Sequence, residues 1–300
     1  MMAKSVPSWP TEMKEIADGV FAYVQATGGF CIANAGLIVG PEGAIAVDAL
    51  FTPTMTRAFQ EAIRRTTHHP IRQLINTHHH IDHTMGNEHF TGADIIGHLR
   101  CRTEIERVGV PLERMQEMAP HFVREIQHAT TRPPNLTFAD RMVLYQGDRR
   151  IELMHLGTGH TVDDVLVYLP AEKVLFAGDV AFHYVTPLAF EGHISGWIKV
   201  ADAIEKMDVE TIVPGHGCVG DKSDLREMRA YLALVRREAR RGYQEGAPAR
   251  TVAERIKLGR FAAWGESERI VPNVLRLYQE FAGEISEPMD LSLAFPPSRM

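Results

Sequence analysis

Cysteine is scarce in this chain of 300 residues: Cys31, Cys101 and Cys218 are three in number and far apart. A disulfide framework is thereby excluded, and reduced thiols are expected. Long apolar runs are missing too, since no stretch reaches the about eighteen residues that a membrane-spanning helix needs. The opening MMAKSVPSWPTEMKE has no apolar core of the kind a secretory signal carries, so a cytoplasmic location is expected. Positive charge is in short supply: Lys plus Arg is 32 against 38 for Asp plus Glu, a formal charge of −6. Such a surface attracts neither nucleic acid nor an anionic membrane, and leaves a small molecule as the expected partner. Internal repeats, low-complexity tracts and Pro/Gly/Ser linkers are absent as well. What the chain has in excess is histidine, 15 residues of it.

The hydrophobic pattern alternates between strand and helix. The pieces FAYVQ, CIANAGLIV and GAIAVDA, separated by Gly28-Gly29 and by Gly40-Pro41-Glu42-Gly43, predict a meander of strands. Pro53 then opens a predicted helix whose buried face is Met55, Ala58, Phe59, Ala62 and Ile63. Strand IRQLINT, a short helix at Met85 to Phe90 and strand ADIIGH follow. Residues 99–130 read as two or three short helices, broken by Pro111 and Pro120, and placed to form a lid. The strands MVLYQ, RRIELMHL, VLVYLP and KVLFAGD imply a second sheet, followed by a helix from Gly196 to Met207 and the strand ETIVPGHG. From Asp221 onward the chain is mainly helical, with Leu225, Met228, Leu232 and Val235 on one face. The expected organisation is a core over residues 1–220 and a helical extension over 221–300 packed on it, which offers either a pocket wall or a homodimer interface.

The chemistry concentrates at His78-x-His80-x-Asp82-His83, where a predicted strand gives way to a helix. Alternate residues of an extended segment point the same way, so His78 and His80 can reach one metal while the turn beyond aims Asp82 and His83 at a second. Three further ligand types end later strands beside glycine: His160 in LGTGHTVDD, Asp179 in LFAGDVAF and His216 in IVPGHGC. Glycine lets backbone approach closely there. Zinc takes imidazole and carboxylate ligands and, in catalytic sites, leaves a position for water. Seven such residues suit two metals, whereas a structural zinc site would use four ligands and commonly favour cysteine.

This order of motifs resembles the metallo-β-lactamase superfamily over about Val20 to Gly217. The resemblance implies an αβ/βα sandwich, two mixed sheets face to face with helices outside, followed here by a C-terminal helical appendage. It implies that His78, His80 and His160 bind a first metal, that Asp82, His83 and His216 bind a second, and that Asp179 bridges them. Two Zn2+ are expected, with Fe or Mn as alternatives. A water shared by two cations loses its proton near neutral pH and becomes the nucleophile, with Asp82 orienting it.

Around this set, His183, Tyr184 and Trp197 fall where similar proteins line the substrate pocket, and His183 is a candidate to donate a proton to the leaving group or to bind the substrate carbonyl. Phe30, after Gly28-Gly29, is placed to border the cleft. Asp164 either orients His160 or caps a turn, Asp163 is expected in solvent, and Cys218 is expected outside the ligand set. His68, His69 and His79 are expected beside the ligands or at the surface. For Met115, Met118 and Phe122 core packing is expected first and pocket lining second. Histidine at position 80 argues against the diiron redox branch of the superfamily, and Asp179 against the branch with a cysteine ligand. The remaining expectation is hydrolysis of a lactone, ester, thioester or amide. A hydrolytic dehalogenase, a mononuclear iron sulfur-oxidising enzyme and a non-enzymatic metal-binding protein stand as alternatives.

Overall fold

The first sheet grows from hairpins. Strands β1 (Glu12–Ala17), β2 (Val20–Val24), β3 (Ala35–Gly40) and β4 (Gly43–Val47) pair antiparallel in chain order. Helix α1 (Pro53–Thr66) then carries the chain over, so that β5 (Ile71–Ile75) returns parallel to β4. The short α2 (Ile81–Thr84) and a 3-10 turn at Met85–His89 precede β6 (Asp94–His98), which is parallel to β5. Three short helices, α3 (Leu99–Val108), α4 (Leu112–Met118) and α5 (Pro120–Ile126), interrupt before β7 (Leu136–Phe138) closes a seven-stranded sheet ordered β1 to β7. Residues 6–285 and 288–289 are described by this computed structural model.

The second sheet has five strands in the order β12-β11-β10-β9-β8. They are β8 (Arg141–Gln146), β9 (Arg149–Met154), β10 (Leu166–Leu169), β11 (Val174–His183) and β12 (Thr211–Gly217). Only β11 and β12 run parallel, because α6 (Ile194–Glu205) makes the crossover between them.

Side-chain alternation builds the layers. Val20, Ala22, Ile38, Ile45 and Ile75 of the first sheet meet Ile151, Leu153, Val167 and Phe176 of the second between the sheets. The other face of the first sheet, Leu37, Ala46, Leu74 and Ile95, packs on Phe59, Ala62 and Ile63 of α1. The outer face of the second sheet, with Leu175, Ala177 and Ala181, is covered by Trp197 and Ile204 of α6. The same cluster takes in Leu225, Met228, Tyr231 and Val235 of α7 (Lys222–Gln244). Helices thus lie outside two facing sheets, the αβ/βα sandwich. Helices α8 (Ala249–Arg255) and α9 (Ile270–Ala282) complete the described chain against α7, Val252, Val274 and Leu277 joining the same core.

Local chemistry explains where the elements start. Thr52 caps α1 by accepting the Met55 N–H at 3.2 Å, Pro53 fills the first helical position, and such a cap is worth about 1 kcal/mol. Asp221 and Asp224 form a reciprocal capping box at the start of α7. Ala58, which spacing assigned to the buried face of α1, is exposed. Thr56 is buried in its place and donates to the Ala49 and Thr52 carbonyls at 2.9 and 3.0 Å. Among the described residues no helix is long and apolar enough to cross a membrane.

Candidate metal centre

Four segments deliver polar side chains to one edge of the sandwich. Beyond β5 the chain turns at Asn76 and Thr77, and Asp48, at the end of β4, fixes that turn: its Oδ1 accepts the Thr77 N–H at 2.8 Å and its Oδ2 the Thr77 hydroxyl at 2.7 Å. His78 and His80 follow, and Asp82 and His83 stand on α2. His160 comes from the β9–β10 connection, Asp179 from the middle of β11 and His216 from β12. Gly215 permits the last approach, since a Cβ there would lie 1.9 Å from Asp179 Oδ1.

Asp179 is the hub. Its Oδ1 lies 3.0 Å from His83 Nε2, and its Oδ2 lies 3.2 Å from His160 Nε2, 3.5 Å from His216 Nε2 and 4.0 Å from His78 Nε2. Asp82 Oδ2 is 3.3 Å from His216 Nε2 and 4.0 Å from His83 Nε2. His80 Nδ1 lies 3.0 Å from His160 Nε2. The seven side chains therefore fall into two groups with metal-ligand spacing, His78, His80, His160 and Asp179 beside Asp82, His83 and His216.

The donor atoms suit a cation better than one another. His78 Nε2, His83 Nε2 and Asp179 Oδ1 are buried and, among the described residues, make no hydrogen bond. Buried polar atoms are normally paired, so atoms left open toward a common point indicate a site built for an ion. Their outer nitrogens are held. His83 Nδ1 is 2.8 Å from Asp48 Oδ2, His78 Nδ1 is 3.2 Å from the Thr77 hydroxyl, and His216 Nδ1 donates to the Gly28 carbonyl at 3.0 Å. Such partners select the tautomer and the ring orientation.

Electrostatics in the metal-free site follow from crowding. Burial opposes the charged form of His216, but the Asp179 and Asp82 carboxylates outweigh it and lift its pKa to about 9. Burial likewise pushes Asp82 up, yet His83 and His216 win and bring it to about 2. His78, buried among other imidazoles, is held well below the usual histidine value. The carboxylates are thus ionised, and a cation binding there would have to displace protons from His83 and His216.

A cavity of about 430 Å³ opens directly over this group. His80, Asp82, His160, Asp179 and His216 form its floor, and Phe30, Ile81, Met115, Met118, Leu188 and Phe190 its apolar walls. Helix α4 thus lies over the site, Met115 and Met118 serving core and cavity at once, while Phe122 packs on Phe51. The C-terminal region adds Arg269 and Pro288 to the rim. Glu266 holds the Phe30 loop in place, its Oε1 accepting the Phe30 N–H at 2.6 Å.

Three expected substrate residues are not brought to this cavity. The strand expected to stop at Asp179 runs on to His183, and four more residues carry the chain about 13 Å along. His183 is buried against β12, its Nδ1 donating to the Cys218 carbonyl at 3.0 Å. Tyr184 donates its hydroxyl to Asp224 at 2.9 Å. Trp197 is fully buried, donates to the Val180 carbonyl at 2.9 Å and packs edge-on against His160 at 5.0 Å. It supports a candidate ligand from behind.

Two aspartates also differ from expectation. Asp163, expected in solvent, is wholly buried because the β9–β10 connection tucks beneath the histidine run, Val165 N donating to the Thr77 carbonyl at 2.6 Å. Its Oδ1 lies 2.7 Å from His79 Nδ1. Asp164 takes the turn-capping role, its Oδ1 accepting the Thr161 hydroxyl at 2.6 Å and the Thr161 N–H at 3.1 Å, and burial raises its pKa to about 7. Among the described residues Cys218 joins no ligand group. Reading for chemistry missed Asp48 and Glu191. Asp48 follows the apolar run GAIAV as Asp179 follows VLFAG, a usable signal; Glu191 sits in FEGH, where no spacing marks it.

Known proteins bear on this geometry. The family profile described as the metallo-beta-lactamase superfamily matches residues 28–216. The alpha subunit of a 2,4-dinitroanisole O-demethylase from Nocardioides sp. is 24% identical over 206 residues, 67% of this chain and 54% of that protein. A type 2 metallo-beta-lactamase from Bacteroides fragilis is 23% identical over 231 residues, 73% of this chain and 85% of that protein. Among solved structures, the inverting sec-alkylsulfatase of a Pseudomonas species superposes with a TM-score of 0.71 at 19% identity, over 91% of this chain and 50% of that one. A metallo-beta-lactamase from Pontibacter korlensis gives 0.58 at 21% identity, over 74% and 98%. The chain thus spans about half the length of the O-demethylase subunit and of the alkylsulfatase, at 54% and 50%. With a profile match running from Gly28 to the last of the clustered histidines, His216, this chain belongs to the metallo-beta-lactamase superfamily.

Proposed function

We propose that the protein is a metal-dependent hydrolase of a small, partly apolar molecule, cleaving a lactone, ester, thioester or amide. The observation that carries this reading is the position of Asp179, whose two oxygens face four imidazole nitrogens at 3.0–4.0 Å beneath a cavity. His78, His80 and His160 would hold one cation, Asp82, His83 and His216 a second, and Asp179 both. The mixed imidazole and carboxylate set favours zinc, with iron and manganese accepting the same donors. Bound there, two cations supply activated water near neutral pH and polarise the scissile group.

The chain's own residues do the rest. Asp82 lines the cavity and is ionised, an acceptor able to orient water. Phe30, Met115, Met118, Leu188 and Phe190 seat the apolar part of the substrate and exclude solvent from the floor. His183 does not line the cavity, so it is not the proposed donor of the leaving group's proton.

Metal analysis of the purified full chain, joined to a substrate panel, tests the reading. The panel holds lactones, esters, thioesters and amides, with haloaromatics added for the dehalogenase alternative, and aryl methyl ethers and secondary alkyl sulfates because of the relatives. Two cations per chain and turnover in the first four classes support the proposal. One iron per chain with oxygen uptake on a thiol substrate would replace it by sulfur oxidation, and bound metal without turnover by a non-enzymatic role.

A further inference from the structure

Glu191 lies in the segment between β11 and α6, at the cavity wall. Its Oε1 is 2.6 Å from His80 Nε2 and 3.0 Å from His79 Nε2. The other nitrogen of His79 reaches Asp163 Oδ1 at 2.7 Å, so the middle histidine of the run is strung between two buried carboxylates. An ionised carboxylate can only accept, which makes His80 the donor through Nε2 and leaves its Nδ1 lone pair pointing at the metal group. Phe190 stacks on the same ring at 4.9 Å and 20°, so adjacent residues grip His80 by its edge and its face. Behind them Arg276 on α9 donates from Nη2 to the Gly192 carbonyl at 2.8 Å, anchoring the segment.

We infer that Glu191 is the positioning residue for the cation held by His78, His80 and His160, and that His79 is the buried tether that holds Glu191. The inference rests on the proposed two-cation site and deepens it. The second group does not share this support, because His83 leans on Asp48 and His216 on the Gly28 carbonyl. Loss of Glu191 should therefore loosen one cation and spare the other.

The experiment is a competition titration with Zn2+ alone on the metal-free full chain, comparing wild type with Glu191→Ala, Glu191→Gln and His79→Gln. Melting of each metal-free variant reports whether the fold survives. The expected result is two zinc ions in wild type and, in Glu191→Ala, one affinity lowered about 10–100-fold with the other unchanged. Glu191→Gln should recover part of the loss, since its amide oxygen still accepts from His80, and His79→Gln should weaken the same cation less severely. Equal weakening of both ions, or a pair bound as in wild type by Glu191→Ala, overturns the inference alone. A wild-type chain that binds no zinc pair overturns the functional reading with it.

Discussion

His83 turns its Nδ1 onto the Asp48 carboxylate at 2.8 Å, and the same Asp48 oxygen accepts the Thr77 hydroxyl that stands 3.2 Å from His78 Nδ1. One carboxylate thereby steadies a candidate ligand in each of the two metal groups. Asp48→Ala should lower the affinity for both cations by about 10–100-fold, in contrast to the one-sided effect expected at Glu191. Zinc titration of the variant checks this; an unchanged second affinity would show that Asp48 serves only the Thr77 turn, and an unchanged first affinity that it serves only His83.

Proton competition sets a pH dependence for metal uptake. His216 is lifted to about 9 and His83 is raised as well, so both carry protons at neutral pH in the metal-free chain. A cation must displace those protons, and raising the pH removes them in advance. Apparent zinc affinity should climb from pH 6.5 toward pH 9 by about tenfold per pH unit for each proton released. Titrations corrected for protonation of the competing chelator measure the slope; a flat profile would contradict the assignment.

Gly215 has no room for a methyl group, since its Cβ would fall 1.9 Å from Asp179 Oδ1 and 2.8 Å from the Gly178 carbonyl carbon. Gly215→Ala should displace Asp179 and the adjoining His216, cutting metal content to below one ion per chain and turnover by more than about 100-fold. Circular dichroism of the metal-free variant should stay native-like, because the clash is at the rim rather than between the sheets.

The thiols should be inert. Cys31 and Cys101 are buried and raised well above the usual thiol range, and burial, with Asp224 adding to it, pushes Cys218 to about 11. At pH 8 the thiolate fraction at Cys218 is then about one in a thousand. A disulfide-exchange dye should titrate less than one thiol promptly in the native chain and three after denaturation.

The residues of the site differ in how visible they are in the sequence. The strand-terminal ligands were legible because ligand, glycine and apolar run occur within a few residues, as at Asp179 and His216. Strands β1 and β7 were not: β1 is charged and buries no residue fully, and β7 has three residues, too few to show alternation. His183 was misplaced because nothing local marks where β11 ends. Glu191 was invisible for a different reason, since its partners stand 111 and 112 positions away in the chain, at His80 and His79. Pairing across such a distance leaves no periodic trace.

The bond from Phe30 N to Glu266 joins positions 236 residues apart. During synthesis the loop that walls the cavity must wait for its anchor until 236 further residues have been made. The cleft is therefore completed after the ligands themselves, and a nascent chain halted before residue 266 would carry every candidate ligand through His216 and still lack a finished binding surface.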